Sequence, residues 1–367
     1  MTAAIAPLGI TLRDLVADDT PAIMELAQAA FSTPWTKDFV IWKYFQNPAG
    51  RAFGACAETA GRVVASYSNL PVRLKLGAAT VTAAQAVDAM VSADYRRQKL
   101  FYQLARRTYQ ALDEANINLT YVFPATAIRA AFVNQLNYAE VGPVPRFVKV
   151  VRAAELGRSL GHSGPKSALD QLAWFGARAA QTAIGPANGD QDVHVGELRQ
   201  LDDRFDRLWQ QASQGFPIAT VRDAAYLTWR YRQNPLRNYL ILAAERGHEL
   251  VGYVVLSFNP EQQIAYLVEL IVAPADQAAG HALLEQASQH ARQAGCAQMQ
   301  CWMLPHQSFY VGLLKRSGFV FWPTRALPGW LGFVTPFILR PGPAQSQQPD
   351  ATRLGNWFIA MGDHDYY

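Results

Sequence analysis

The chain has 367 residues, half of them hydrophobic and 17% charged, with a net charge of +4. That length suits two or three domains with real cores, and so mild a charge gives no argument for nucleic acid, where a clustered basic stripe is expected. Cys56, Cys296 and Cys301 form no framework and no CxxC, which points to a reducing cytoplasm, and neither a signal peptide nor a membrane span is legible.

In chain order, residues 10–16 read as a short strand, and Asp18 or Asp19 then caps a helix with Pro21 in its first turn. An aromatic-rich segment follows, FSTPWTKDFVIWKYFQNPAG. Residues 51–58, 62–69 and 72–76 read as strands, with turns at Ala60-Gly61 and Gly77. Residues 81–91 alternate and then run apolar, which predicts another strand. Residues 92–99 form a polar loop with two arginines and a lysine, and Leu100, Leu104 and Leu112 share one face of the helix beyond it. A strand that runs through a basic loop into a helix start offers free N–H groups and a positive dipole end to an anion. This loop lacks the glycines of a Walker or Rossmann loop. A strand at 118–123, a helix at 126–136 and an extended stretch at 138–150 complete an α+β order with one βα crossover.

Residues 153–190 read as a connector around one amphipathic helix, 166–184, and the second half then repeats the first. Trp42-Lys-Tyr-Phe-Gln-Asn-Pro48 recurs as Trp229-Arg-Tyr-Arg-Gln-Asn-Pro235. Val87-Asp88-Ala89-Met90-Val91 recurs as Val268-Glu269-Leu270-Ile271-Val272, and Leu136-Asn137-Tyr138 as Ser317-Gly318-Phe319. The expected organisation is therefore 9–152, connector 153–190, and 191–367, with two copies of one domain.

The stretch Val91-Ser-Ala-Asp-Tyr95-Arg96-Arg97-Gln98-Lys99-Leu100-Phe101 resembles the V-x-P-x-Y-R-x-x-G-x-G/A motif of the GNAT N-acetyltransferase superfamily. FPATAIRAAFVNQLNYAEVG is similar to that family's later segment, and W-K-Y-x-x-N-P to that of its tandem members. The resemblance implies two α+β domains, each a mixed, mostly antiparallel sheet flanked by helices. It implies an N-acyltransferase that moves an acetyl group from acetyl-CoA, or another acyl group from its acyl-CoA, to a small-molecule or peptide amine. It further implies a monomer or homodimer without nucleic-acid or membrane partners. The cofactor would lie on Met90, Val91, Arg96, Arg97, Gln98, Lys99, Leu100 and Phe101.

Two departures qualify that expectation. Lys99 and Phe101 stand where the family has small residues that admit a diphosphate, so this copy keeps charge and loses room. In the second copy Gln277, Gly280 and Ala282 keep the room, and the arginines are gone. The first copy is favoured because charge attracts a diphosphate. Asp88, three before Val91, is the candidate proton acceptor, and a carboxylate paired with a neighbouring cation is the alternative. The family's thiol-protonating tyrosine is matched by Val133 and Leu314, while Tyr102, Tyr138 and Tyr310 are off register, so no general acid is assigned. Trp35, which has no second-copy counterpart, is the candidate acceptor-side residue, whereas Trp42, Tyr44, Trp229 and Tyr231 read as packing because both copies hold them. A non-catalytic coenzyme A-binding protein and a transferase of longer acyl chains are the rival readings.

Overall fold

A computed structural model describes residues 9–31, 34–152, 192–321, 335–343 and 349–365. The expected connector helix at 166–184 lies outside these residues. The chain divides into two compact units. The first runs to Gly142 and adds Thr228–Arg237 and Pro336–Thr352; the second takes Pro143–Leu227, Asn238–Thr335 and the residues from Arg353 on.

In the first unit β1 (Thr11–Asp14) precedes α1 (Thr20–Ala30) and α2 (Lys37–Phe45). A meander follows, β2 (Phe53–Thr59), β3 (Arg62–Leu76) and β4 (Ala79–Val91), and then α3 (Leu100–Glu114), β5 (Leu119–Val122), α4 (Thr126–Gln135) and β6 (Ala139–Val144). The sheet order is β1-β2-β3-β4-β5, then β15 (Thr335–Pro341), then β6. Only β4 and β5 pair in parallel among its first five strands, as the crossover through α3 requires.

The second unit opens with β7 (Arg146–Val150) and β8 (Val193–Glu197), then α5 (Asp203–Ala212) and β9 (Ile218–Thr220). Next come α6 (Ala224–Leu227), β10 (Leu240–Arg246), β11 (Glu249–Asn259), β12 (Ile264–Val272), α7 (Gln277–Gln293), β13 (Gln298–Trp302), α8 (Ser308–Arg316) and β14 (Val320–Phe321). Its sheet order is β14-β7-β13-β12-β11-β10-β8. The two orders match strand for strand, with one exchange. β15, from the second sequence repeat, sits between β5 and β6; β7, from the first, sits between β13 and β14.

The exchanged strand is well anchored in the first unit. Ile338, Leu339, Arg340 and Pro341 pair antiparallel with Val122, Tyr121, Thr120 and Leu119. Phe337 stacks on Phe123 at 5.1 Å, and Arg340 lies 4.7 Å from the Tyr109 ring centre while holding both carboxylate oxygens of Asp113. A Cβ on Gly342 would fall 1.9 Å from the Ile117 carbonyl oxygen, so only glycine lets the chain leave this strand.

Three expectations need correction. Residues 62–69 and 72–76 form the single strand β3, which passes through Pro71. β2 pairs only as far as Asn69, so the missing Pro71 N–H falls beyond that ladder. Asp19 precedes α1 without capping it, because its carboxylate accepts from Arg13 and from the Val16 amide instead. Residues 357–361 read in sequence as a last strand, but Trp357 makes only an isolated bridge to Ile218 and Met361–Asp363 is a 3-10 turn.

Helices cover both faces of the first sheet. Ile23, Leu26 and Ala27 of α1 with Val40 and Tyr44 of α2 pack on Cys56, Val87 and Met90. Leu100, Leu104 and Leu112 of α3 with Phe132 of α4 pack on Ala84, Ala86 and Val64. The buried Trp42 and Trp229, both within this unit, stack at 5.0 Å, and each indole N–H donates to the other's carbonyl, at 2.8 and 3.1 Å. The repeated motif is thus a reciprocal clasp, which is why both copies retain its tryptophan.

Candidate active site

β4 does not run straight to its end. Ser66 pairs with Met90 but Ser68 pairs with Val87, so β4 spends an extra residue there and bulges at Asp88-Ala89. Asp88 takes a φ of +50°, in the left-handed region where aspartate is among the better-tolerated side chains. The bulge turns Val87 and Met90 toward α1 and α2, and the Asp88 carboxylate lies on that side too. Its Oδ2 receives the Tyr44 hydroxyl at 2.8 Å and the Lys43 ammonium at 2.7 Å. Lys43 and Asp88 are 4% and 5% exposed at the side chain, so this is a buried ion pair, the cation-paired arrangement the sequence held open as the alternative for Asp88. On β3 opposite the bulge, Ser66 and Ser68 hold buried hydroxyls that make no hydrogen bond.

Trp35 joins this group. Its ring centre lies 5.0 Å from Lys43 Nζ, 6.4 Å from the Tyr44 ring and 5.1 Å from Phe39, and it stacks on the exposed Phe31 at 5.4 Å. The candidate acceptor-side residue and the candidate proton acceptor are therefore linked through two neighbours in α2. Sequence reading missed Lys43. Its signal was a basic residue held between two aromatics in both copies, since Arg230 between Trp229 and Tyr231 is buried as well.

Beyond Val91 the predicted polar loop is wound into a 3-10 turn, Ala93–Gln98, fixed to the sheet by Ser92 N–H donating to the Val64 carbonyl. Arg96, Arg97 and Lys99 are exposed. Lys99 starts α3 with a φ of +57°, a conformation that glycine adopts without cost, which accounts for the family's preference at this position. It makes no capping hydrogen bond, so α3 opens toward solvent behind three cations. Leu100 and Met90 are core residues and can offer a cofactor only backbone. Phe101 turns inward, edge-on to Tyr67 at 5.6 Å and Phe132 at 5.5 Å. Val91 and Gln98 are half-buried, and the Gln98 carbonyl accepts from Gln103.

The corresponding region of the second unit is closed by its own side chains. Asp276 caps α7, its carboxylate accepting from the Ala279 amide at 3.0 Å, and it pairs with Arg246. Gln277 accepts from Arg316, and His281 meets Ser317. A Cβ on Gly280 would lie 2.5 Å from Leu313 Cδ1, so any side chain there would force Leu313 of α8 to move. Ala282 is half-buried in the same helix. Glu269, the counterpart of Asp88, is fully buried against Arg222, whose guanidinium also donates to Asp363 and to the Thr220 carbonyl. The Trp209 and Phe358 rings lie within 5.9 and 5.1 Å of that guanidinium.

Tyr138 and Tyr310 are not placed to protonate a thiolate. Tyr138, Tyr109 and Tyr67 form a buried hydroxyl chain at 3.2 and 2.9 Å, and burial pushes all three well above the usual phenol range. Tyr310 is buried with its hydroxyl at the Val272 backbone and is pushed up likewise. Tyr102 is half-buried against Phe101. Val133 packs at the edge of the first core and Leu314 is fully buried, so the two positions matched to the tyrosine serve packing. Among the described residues no group of His, Cys, Asp and Glu side chains is arranged to hold a metal, and no helix is long and apolar enough to cross a membrane.

A bulged strand that runs through a turn into a helix start occurs in each of two matching sheets, the layout of an acyltransferase fold. Residues 11–141 match the acetyltransferase (GNAT) domain and residues 201–319 the acetyltransferase (GNAT) family. The chain belongs to the GNAT superfamily, as two tandem domains. No curated protein matches it. Among solved structures it resembles a GCN5-related N-acetyltransferase from Kribbella flavida, at 14% identity and a TM-score of 0.58, over 90% of this chain and 71% of that one. A GCN5-related N-acetyltransferase from Anabaena variabilis gives 12% identity and 0.61, over 90% and 72%. An N-myristoyltransferase from Saccharomyces cerevisiae, solved with myristoyl-CoA, gives 13% and 0.57, over 97% and 86%.

Proposed function

We propose that the chain is an acyl-CoA-dependent N-acyltransferase that moves an acetyl group from acetyl-CoA to a primary amine of a small molecule or peptide, using its first domain. One contrast carries this reading: α3 starts uncapped beside Arg96, Arg97 and Lys99, whereas α7 starts on its own Asp276 carboxylate. A diphosphate and that carboxylate compete for the same amides and the same dipole end. The first domain attracts the cofactor; the second has already satisfied its site internally.

The chemistry is direct attack. The neutral amine nitrogen bonds to the thioester carbonyl carbon, the C–S bond breaks, and coenzyme A leaves as the thiolate. The proton released by the nitrogen passes to Asp88, the carboxylate of the bulge nearest the cofactor turn. The half-buried Trp35, with Phe39 behind it, forms the apolar wall against which the acceptor lies.

Thiol release from acetyl-CoA, measured with a panel of amines and with acyl chains of increasing length, tests the activity. No amine-dependent release with any donor would leave a coenzyme A-binding protein without transfer. Reversing Arg96 and Arg97 to glutamate should weaken coenzyme A binding at least ~100-fold in calorimetry, because two attractions become repulsions next to a diphosphate. Unchanged affinity would move the site to Gln277–Ala282. Asp88→Asn should lower turnover ~100-fold and flatten the acidic limb of its pH profile.

A further inference from the structure

We infer that Lys43 is the positioning residue of the transfer site: with the Tyr44 hydroxyl, its buried ammonium holds the Asp88 carboxylate in the orientation that accepts the amine proton. This rests on the proton-acceptor reading of Asp88 given above.

A lysine is rarely buried, because its ammonium loses hydration that one ion pair seldom repays. Lys43 nevertheless sits between Trp42 and Tyr44 on the buried side of α2, where helix-surface residues such as Lys37 and Asp38 are exposed. Its ammonium lies over the Trp35 and Phe39 rings at 5.0 and 5.8 Å, so aromatic faces help stabilise the cation and also limit where it can move. Two donors from adjacent residues of one helix converge on a single oxygen, Asp88 Oδ2. That convergence fixes the rotation of a carboxylate whose backbone is already held in a left-handed bulge. Strand and helix together leave it one direction.

The second domain shows what the same strand position becomes when it is locked for structure. Arg222 spreads its donors over Glu269, Asp363 and the Thr220 carbonyl, so that carboxylate belongs to a three-element clamp. Lysine contributes a compact point charge instead, which orients one oxygen and can yield as a proton arrives. Lys43 and Tyr44 of α2 meet Asp88 directly, the Cys56 thiol of β2 packs in the same cluster as Tyr44 and Val87, and Ser66 and Ser68 hold neutral hydroxyls across on β3.

The test uses the full chain, acetyl-CoA and the panel amine that gives the fastest thiol release. Lys43→Met should lower kcat ~10–100-fold while leaving KM for acetyl-CoA within about twofold, since the cofactor turn is not touched. It should also move the acidic limb of kcat/KM for the amine upward by about one pH unit, because losing the cation favours the protonated carboxyl. Lys43→Arg, which keeps the charge, should return the limb toward its wild-type position. Because Lys43 acts through Asp88, the Lys43→Met/Asp88→Asn double variant should be no slower than Asp88→Asn.

A folded Lys43→Met enzyme with wild-type kcat and pH profile overturns the inference, and so does a double variant as slow as the product of the two singles. If Asp88→Asn turns over at the wild-type rate, the proton-acceptor reading falls first and this inference falls with it. Should Lys43→Met fail to fold, Tyr44→Phe removes the other donor to the same oxygen. The limb should then move upward by a smaller step, and a limb that stays in place counts against the inference.

Discussion

A chain ending at residue 152 should show no cooperative thermal transition by circular dichroism and poor amide dispersion by NMR. It contains every residue of the first sequence repeat, yet it lacks two pieces of the first compact unit, Thr228–Arg237 and Pro336–Thr352. Without β15, the β5 edge at Leu119–Val122 loses its antiparallel partner, and an open apolar edge favours aggregation. Phe123, Tyr121 and Tyr109 lose the side chains of Phe337 and Arg340 that cover them. Trp42 loses both its stacked ring and the acceptor of its indole N–H. Within the intact chain, Trp229→Ala alone should cost about 3–5 kcal/mol, the usual range for emptying a buried tryptophan site. A fragment that melts cooperatively would show that the first repeat is self-sufficient.

Arg222→Met should destabilise the second unit by about 3–5 kcal/mol, since removing one member of a buried charge group strands the others. Glu269, Asp363 and the Thr220 carbonyl would each lose a donor. For a unit of this size the melting midpoint should fall by roughly 6–20 °C. The loss should be partly relieved when Glu269→Gln is added, because one of the two stranded charges then disappears. An unchanged midpoint in the single variant would mean that Glu269 and Asp363 are stabilised without the arginine.

Much of the architecture was legible because it is local. Alternation and apolar runs marked β4, helical spacing marked α3, and the recurrence of Val87–Val91 as Val268–Val272 exposed the repeat. The paired tryptophans of the W-x-Y motif read correctly as packing, since both serve one shared clasp, whereas Tyr44, read the same way, also donates its hydroxyl to Asp88. Strand exchange was not legible. The pattern at 335–341 specifies a strand but not which sheet receives it, and sequential neighbours are the default expectation. Pro71 broke the reading of β3 because a proline penalises a strand only where its N–H would have been used. At the site, Arg96, Arg97, Lys99 and Asp88 were visible as charge in a motif. Lys43 was not, because a lysine in a helix looks the same whether it meets water or a carboxylate.

The place of β15 also sets an order on synthesis. The ribosome makes β1 through β6 first, but the strand that lies between β5 and β6, β15, is made only after β7 through β14. At about 5–20 residues per second, the interval between β7 and β15 is roughly 10–40 s. Through that time the first sheet has a gap between β5 and its edge strand β6, whereas β7, the strand borrowed by the second sheet, is already waiting. The second unit can therefore close as it is made, and the unit proposed to carry the active site becomes whole only once β15 has left the ribosome.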